Sequence, residues 1–143
     1  MEISLPRIVN ITGKPGLFRV ITATKNSFVV ESIEEKPKKM VVAATQRIAS
    51  LNDISIFTVE DYIMLSEVFA RMQTKENEHN PKEVGSDNYA VMEYFEQIVP
   101  EYDEDKVHSS DMRKVVKWFN LLRPFIDFVA YQEEQNKNKE AKA

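Results

Sequence analysis

The sequence predicts an α+β fold: a small antiparallel SH3-like β-barrel, a helix that follows it, and then a small helical unit. Three observations lead to this prediction. Short runs rich in Val, Ile, Phe and Thr fill the first 59 residues. Amphipathic helical periodicity begins near residue 65 and returns twice later. Charge divides the chain in the same way, with 8 basic and 5 acidic residues in 1–59 but 11 and 18 in 60–143.

The strand signals are local and closely spaced. Four segments have the composition of β-strands: 17–24, 27–34, 40–45 and 55–59. Lys25 and Asn26 form a two-residue connection of the kind found in tight hairpins. No helix separates the first three segments, which favours an antiparallel meander. Because several strands are apolar on both faces, we expect the sheet to close into a barrel, with the next helix covering part of its outside.

Helical periodicity predicts three helices. In the first, a capping Thr58 precedes an apolar stripe, and the helix ends near Thr74. The other two helices form the second unit, and Pro100 and Pro124 limit them. The three apolar stripes are Leu65, Val68, Phe69 and Met72; Val91, Met92, Phe95, Ile98 and Val99; and Met112, Val115, Val116, Phe119 and Leu122.

These signals divide the chain into four segments. Residues 1–75 are predicted to form the small β-barrel with its C-terminal helix, and the polar residues 76–85, which include Pro and Gly, a linker. Residues 86–128 are predicted to form the helical unit. Residues 129–143 are charged and poor in apolar side chains, so we expect a disordered tail there.

Composition excludes several functions. The chain has no cysteine, which excludes thiolate metal sites and cysteine nucleophiles, and its two histidines are His79 and His108. The turn at 13–16 lacks the spacing of a phosphate-binding loop, and the acidic run 101–105 lacks the pattern of a calcium loop. We therefore expect a non-enzymatic protein with no catalytic residue, cofactor or metal. The sequence has no apolar run long enough to span a membrane and no signal-peptide pattern. We therefore expect a cytoplasmic protein with no membrane partner.

The helix that begins near Asp111 carries the candidate partner-binding residues. On a helical wheel, Arg113, Lys114 and Lys117 lie on a face away from the core stripe. Trp118 and Leu121 belong to a flanking apolar strip. The net charge of −4 and this strip favour a protein–protein interaction or scaffold role, with either another protein or a second copy as partner. The alternative is RNA or DNA binding through the basic face of the 111–123 helix and the small barrel.

Several stretches of the sequence are similar to a known family. They are ITGKPGLFRV near the start, FVVES, SLNDISIFT before the first helix, and YFEQIVPEYDEDKV followed by SDMRKVVKWFNLL. Together they extend over most of residues 7–123. On these stretches the chain resembles a family of uncharacterised bacterial proteins, a domain-of-unknown-function family. The resemblance implies a two-part architecture and a bacterial cytoplasmic protein, and it carries over no activity, cofactor or catalytic residue.

Overall fold

Two antiparallel sheets and four helices form the fold in the computed structural model, which describes residues 7–14, 16–85 and 87–142. The strands are β1 (Ile8–Ile11), β2 (Phe18–Ala23), β3 (Ser27–Ser32), β4 (Lys39–Ala43), β5 (Ile48–Ser50), β6 (Ser55–Phe57) and β7 (Tyr62–Met64). The helices are α1 (Leu65–Thr74), α2 (Asn88–Ile98), α3 (Ser109–Leu122) and α4 (Phe128–Lys142). The α+β class therefore agrees with the prediction.

The first five strands form one sheet in the order β4-β3-β2-β1-β5. Antiparallel pairing joins β1 to β2, β2 to β3 and β3 to β4, and the last three of these strands form the predicted meander. The β1–β2 turn needs glycine at both ends, because Gly13 has φ +87° and Gly16 has φ +83°. Strand β5 then returns to pair with β1, so that Val9 lies opposite Ser50.

The prediction of an SH3-like barrel is wrong, because β4 and β5 form open edges and are not hydrogen-bonded neighbours. Residues 44–47 join these two edges through a turn in which the Gln46 N–H donates to the Ala43 carbonyl at 3.0 Å. A flat five-stranded sheet would hold its edges about 19 Å apart, at about 4.8 Å per strand. So short a connection requires a strongly curled sheet, yet the curl stops before closure.

Both faces of the strands are apolar for a reason other than barrel closure. One face of the curled sheet encloses a small cluster of its own, formed by Val9, Ile11, Phe18, Val30 and Val42. Side chains at the other positions and at the strand ends join the main core of the molecule, among them Ile8, Leu17, Ile33 and Leu51. The apolar surface is thus buried by the helices as well as by the sheet, and no ring of hydrogen-bonded strands is required to cover it.

The main core is shared by the sheet and all four helices. Every residue of the predicted α1 stripe is buried there, together with Val91, Phe95, Ile98 and the α3 stripe. Three rings meet at its centre: the Phe69 centroid lies 4.8 Å from that of Phe128 and 6.1 Å from that of Phe119. The main core therefore extends from β1 to the start of α4, and the small cluster of the sheet lies beside it.

The segment predicted as a linker, 76–85, is packed against α3. Pro81 is buried in a short 3₁₀ turn, and its carbonyl accepts a hydrogen bond from Asn120 Nδ2 at 3.3 Å. At its start, Glu76 Oε2 lies 2.7 Å from Arg123 Nη2. This segment is therefore attached to the end of α3, while most of its polar side chains are exposed.

The predicted disordered tail, 129–143, belongs to helix α4 as far as Lys142, so that prediction requires correction. The helix begins in the core, because Phe128 is fully buried beside Phe69. Asp127 Oδ1 caps it by accepting from the Ala130 N–H at 3.1 Å, and Gln73 Oε1 of α1 accepts from the Phe128 N–H at 2.7 Å. One anchored turn therefore starts a helix whose later residues are mostly charged.

Candidate functional site

Helix α3 presents its predicted binding residues in two different environments. Arg113, Lys114 and Lys117 are exposed, as the helical wheel indicated. The Trp118 side chain is only 9% exposed, and Leu121 is half-buried against the main core. Trp118 and Leu121, the flanking apolar strip of the sequence analysis, are therefore mostly covered, because the sheet and the 81–85 segment pack on that side of the helix.

The exposed cations lie along two grooves, one on each side of α3. The hairpin groove runs between β6 and α3, has a volume of about 350 Å³, and includes Lys114 and Trp118. The second groove runs between α3 and the 81–85 segment, and includes Arg113, Lys117 and Leu121. The structure thus divides the five predicted residues between these two grooves.

The hairpin groove combines apolar walls with two cations. Its apolar residues include Ile56, Phe57, Val115 and Trp118, and its polar ones Asn10, Ser55, Lys106, Asp111 and Lys114. Lys106 Nζ lies 5.0 Å from the centroid of the Phe57 ring, a cation–π contact at the groove rim. The Asp111 carboxylate caps the start of α3, where its Oδ2 accepts a hydrogen bond from the His108 N–H at 3.0 Å. Neither lysine belongs to an ion pair within the described part of the chain.

Next to this groove, the β6–β7 hairpin exposes apolar side chains that the sequence analysis missed. Phe57 is 45% exposed and Val59 is 72% exposed, and Tyr62, paired with Phe57 across the strands, is also exposed. We call Phe57, Val59 and Tyr62 the hairpin surface. These three exposed apolar side chains lie within six residues of chain, so they form a patch and are not singly scattered surface residues.

The hairpin turn explains why the sequence analysis missed this surface. Thr58 does cap a turn, since its Oγ1 accepts from the Asp61 N–H at 3.0 Å. That turn joins β6 to β7, however, and α1 begins only at Leu65. The signal read as a helix N-terminus belongs to a β-turn, for which Thr followed by Asp three residues later is equally suited. The strand-forming residues Tyr62 and Ile63 directly after it are the signal that could have revealed the hairpin.

The segment 101–103 holds the hairpin in place. The Asp103 N–H donates to the Phe57 carbonyl at 2.9 Å, and the Val59 N–H donates to the Glu101 carbonyl at 3.0 Å. Glu101 is fixed in turn by Arg71 of α1, whose Nη1 lies 2.8 Å from Glu101 Oε1. The Arg71 hydrogen bond lowers the pKa of Glu101, which keeps the carboxylate ionised and the segment attached.

We expect Glu101→Gln to remove a pH-dependent contribution to stability. A lowered folded-state pKa means that the ion pair contributes fully above the ordinary glutamate pKa of about 4.3 and is lost as pH falls through the lower folded value. Because the Glu101 side chain is 42% exposed, the contribution should stay below about 1 kcal/mol. Urea unfolding at neutral pH and near pH 3 measures it: wild type should exceed Glu101→Gln only at neutral pH. An equal difference at both pH values would contradict the assignment.

A half-buried polar cluster lies where the C-terminal ends of α1 and α3 meet α2. Arg123 pairs with Glu76, while its Nη1 and the Tyr94 hydroxyl have no hydrogen-bond partner among the described residues. Burial raises the pKa of Tyr94 and keeps the phenol neutral. The cluster connects three helices at one point and opens into neither groove described above.

Two further features are absent from residues 7–14, 16–85 and 87–142. No group of three or more His, Asp or Glu side chains there could hold a metal ion. None of the helices in the same residues has the length and apolar character needed to cross a bilayer.

Fold and site together define an α+β protein in which a curled sheet and a helical layer share one core and a helix–strand groove opens beside an apolar hairpin. Residues 5–51 match the family model described as Domain of unknown function (DUF5606), and residues 54–122 match that described as Domain of unknown function (DUF6852). The two matches meet just before β6, whereas the sequence analysis placed the boundary between units at 76–85.

A solved structure has a similar fold over most of the chain. The solution NMR structure of a protein from Bacteroides vulgatus, from the Northeast Structural Genomics Consortium, is 33% identical in sequence, with a TM-score of 0.68. The alignment covers 87% of this chain and 91% of that one. No curated protein matches the chain. The chain belongs to this family of proteins of unknown function, which has a bacterial member, and the resemblance seen in the sequence is thereby confirmed.

Proposed function

We propose that this protein is a non-enzymatic protein-interaction module whose partner docks on the hairpin surface and the adjoining hairpin groove. The observation that carries the proposal is the exposure of Phe57, Val59 and Tyr62 side by side on one short hairpin. Exposed apolar residues of this size, next to a groove with charged residues at its rim, are typical of protein-binding surfaces. The cytoplasmic location and the absence of catalysis remain predictions.

The alternative, nucleic-acid binding, has one specific observation in its favour. Arg113, Lys114 and Lys117 are all exposed, and no ion pair of the described residues includes any of them. Phosphate binding could use such side chains. Stacking of bases, however, requires an accessible aromatic face, and Trp118 is buried in the groove wall. With a net charge of −4 for the whole chain, this function ranks second.

The double variant Val59→Asp with Tyr62→Ser tests the proposal. Peptides selected from a random library on the wild-type chain are titrated against wild type and this variant. We expect the variant to bind them at least about tenfold more weakly, because truncating the few central residues that dominate an interface costs more than about 1 kcal/mol each. The matched control, Val41→Asp with Tyr89→Ser, makes the same changes at two side chains that are equally or more exposed elsewhere, and it should bind as wild type does.

Two results would contradict the proposal. Equal binding by both double variants would show that the hairpin surface is not the docking site. Fluorescence anisotropy with single-stranded RNA and duplex DNA at two salt concentrations tests the alternative. Binding that falls steeply with salt and is lost in Lys114→Glu with Lys117→Glu would replace protein interaction by nucleic-acid binding. Sedimentation of the wild type tests whether the partner is a second copy.

A further inference from the structure

Only part of the outer edge of β6 is hydrogen-bonded to the rest of the described chain. In this hairpin, Ile54 and Thr58 bond towards β7 and α1, since the Leu65 N–H donates to the Ile54 carbonyl at 2.9 Å and the Thr58 N–H to the Asp61 carbonyl at 2.9 Å. Backbone groups alternate in direction along a strand, so those of Ser55, Phe57 and Val59 point the other way. On that outer side the segment 101–103 bonds to Phe57 and Val59.

Ser55 is where the edge becomes free. The chain turns away after Asp103, with the Lys106 N–H donating to the Asp103 carbonyl at 3.1 Å. The Ser55 N–H and carbonyl and the Phe57 N–H therefore have no hydrogen-bond partner within the described residues. Ser55 and Phe57 both line the hairpin groove, where an added strand could bond to these groups.

Helix α3 supplies the opposite wall of the groove. Val115 and Trp118 face Ile56 and Phe57 across the space of about 350 Å³. An extended segment bonded to β6 would place alternate side chains against this helix. Both walls belong to the packed core, because Trp118 and Ile56 are both buried.

The charges at the groove rim select the occupant. Lys106 and Lys114 both line the groove, and neither is neutralised by an ion pair of the described residues. The carboxylate of Asp111 is already engaged by the backbone at the start of α3. A carboxylate-bearing segment would therefore find two free cations beside the open strand edge.

We propose that the hairpin groove binds an extended acidic segment of a partner protein, added as a strand to the outer edge of β6 and covered by α3. This inference rests on the proposed function and specifies its partner and its mode of recognition. Recognition then has two components: main-chain hydrogen bonds at Ser55 and Phe57, and carboxylates that meet Lys106 and Lys114.

The test uses a capped synthetic peptide in which Glu alternates with Leu, without Trp or Tyr. Trp118 is the only tryptophan of the chain and forms a groove wall, so its emission reports directly on occupation. We expect the peptide to shift Trp118 emission at low salt and the effect to weaken as salt rises. A peptide with Lys in place of each Glu should leave the emission unchanged, and an equal shift by both peptides would contradict the charge argument.

Ser55→Pro separates strand addition from other binding. Proline removes only an outward N–H, and edge strands tolerate it there. The preceding Ile54 already has φ −84° and ψ 136°, which are compatible with a following proline. We expect Ser55→Pro to weaken binding at least about tenfold and Ser55→Ala, which keeps the N–H, to leave it within about twofold. Equal affinities for these two variants would overturn strand addition.

Charge variants on α3 locate the groove. Lys114→Glu should lower the affinity for the acidic peptide at least about tenfold and reduce the salt dependence of binding. Lys117 lies in the second groove, so Lys117→Glu should have a much smaller effect. An equal loss in both variants would place the peptide elsewhere.

N-methylation along the peptide needs no protein variant, and strand addition predicts that every second position is sensitive. Uniform tolerance of N-methylation would exclude a strand.

Failure of this inference can be told apart from failure of the proposed function. If the library-selected peptides require Val59 and Tyr62 while the acidic peptide does not bind, the hairpin surface remains a docking site and the acidic strand is excluded. If a dimer forms on concentration and Ser55→Pro abolishes it, the groove belongs to a second copy, which also excludes the acidic partner.

Discussion

Phe69→Ala should lower the free energy of unfolding by about 3–5 kcal/mol, the largest effect expected of any single substitution described for this protein. Phe69 is fully buried in the main core, where its ring contacts those of Phe119 and Phe128. The substitution removes both of these ring contacts and leaves a cavity beneath the start of α4. Urea unfolding followed by circular dichroism measures the loss.

The matched control is Tyr89→Ala, which removes an aromatic ring that is 82% exposed on α2. Its unfolding free energy should stay within about 0.5 kcal/mol of wild type, as is usual for exposed positions. If Phe69→Ala were as stable as this control, the result would contradict a main core that strands and helices share around Phe69.

Trp118→Ala should cost about 3 kcal/mol of stability, although the sequence analysis treated Trp118 as part of a binding surface. The side chain is buried between α3 and β6, so truncation removes packing from the core as well as one wall of the hairpin groove. Thermal and urea unfolding should show a clear shift. Lys114→Ala, one turn earlier on the same helix and exposed, should leave stability within about 0.5 kcal/mol.

Stability and binding must therefore be measured separately at this position. A Trp118→Ala variant that loses partner binding could do so because the groove has collapsed. Wild-type stability in Trp118→Ala would contradict the burial of the side chain, whereas loss of stability in Trp118→Ala together with wild-type stability in Lys114→Ala would agree with it. Because of this double role, Trp118 serves better as a fluorescent reporter than as a site of mutation.

The helices are the part of the fold that could be predicted best, because a helix is encoded over a short stretch of chain. All four apolar positions assigned to α1, Leu65, Val68, Phe69 and Met72, are buried. Most positions of the α2 stripe are buried as well, with Met92 exposed. Periodicity of 3.6 residues is a local property, and burying an amphipathic stripe is favourable whichever element covers it.

Strands β1, β5 and β7 were missed, and for β5 and β7 the reason is a distant partner or a signal that was assigned to another element. Strand β5 has three residues and exists because it pairs with β1, about forty residues earlier. Strand β7 was hidden because Thr58 and Asp61 resemble the start of a helix. A three-residue segment has too little local preference to form a strand by itself, so its partner decides its conformation.

The candidate site was predictable only in part, for a similar reason. The exposure of Arg113, Lys114 and Lys117 could be predicted from the helical wheel, because charged side chains avoid the core. The hairpin surface depends on two strands meeting, and the hairpin groove depends on α3 packing beside β6. No local sequence pattern shows that these distant segments come together.

By itself the sequence determined the α+β class, the meander of β2, β3 and β4, the stripes of three helices, the family and the exposed cations of α3. Tertiary structure alone decided that the sheet curls without closing, that Trp118 forms a groove wall, and that α4 is anchored by Phe128. The physical reason is the range of the interactions: periodicity and turn preferences act over a few neighbouring residues, whereas edge pairing and core packing join residues tens of positions apart and are fixed only when the whole chain has folded.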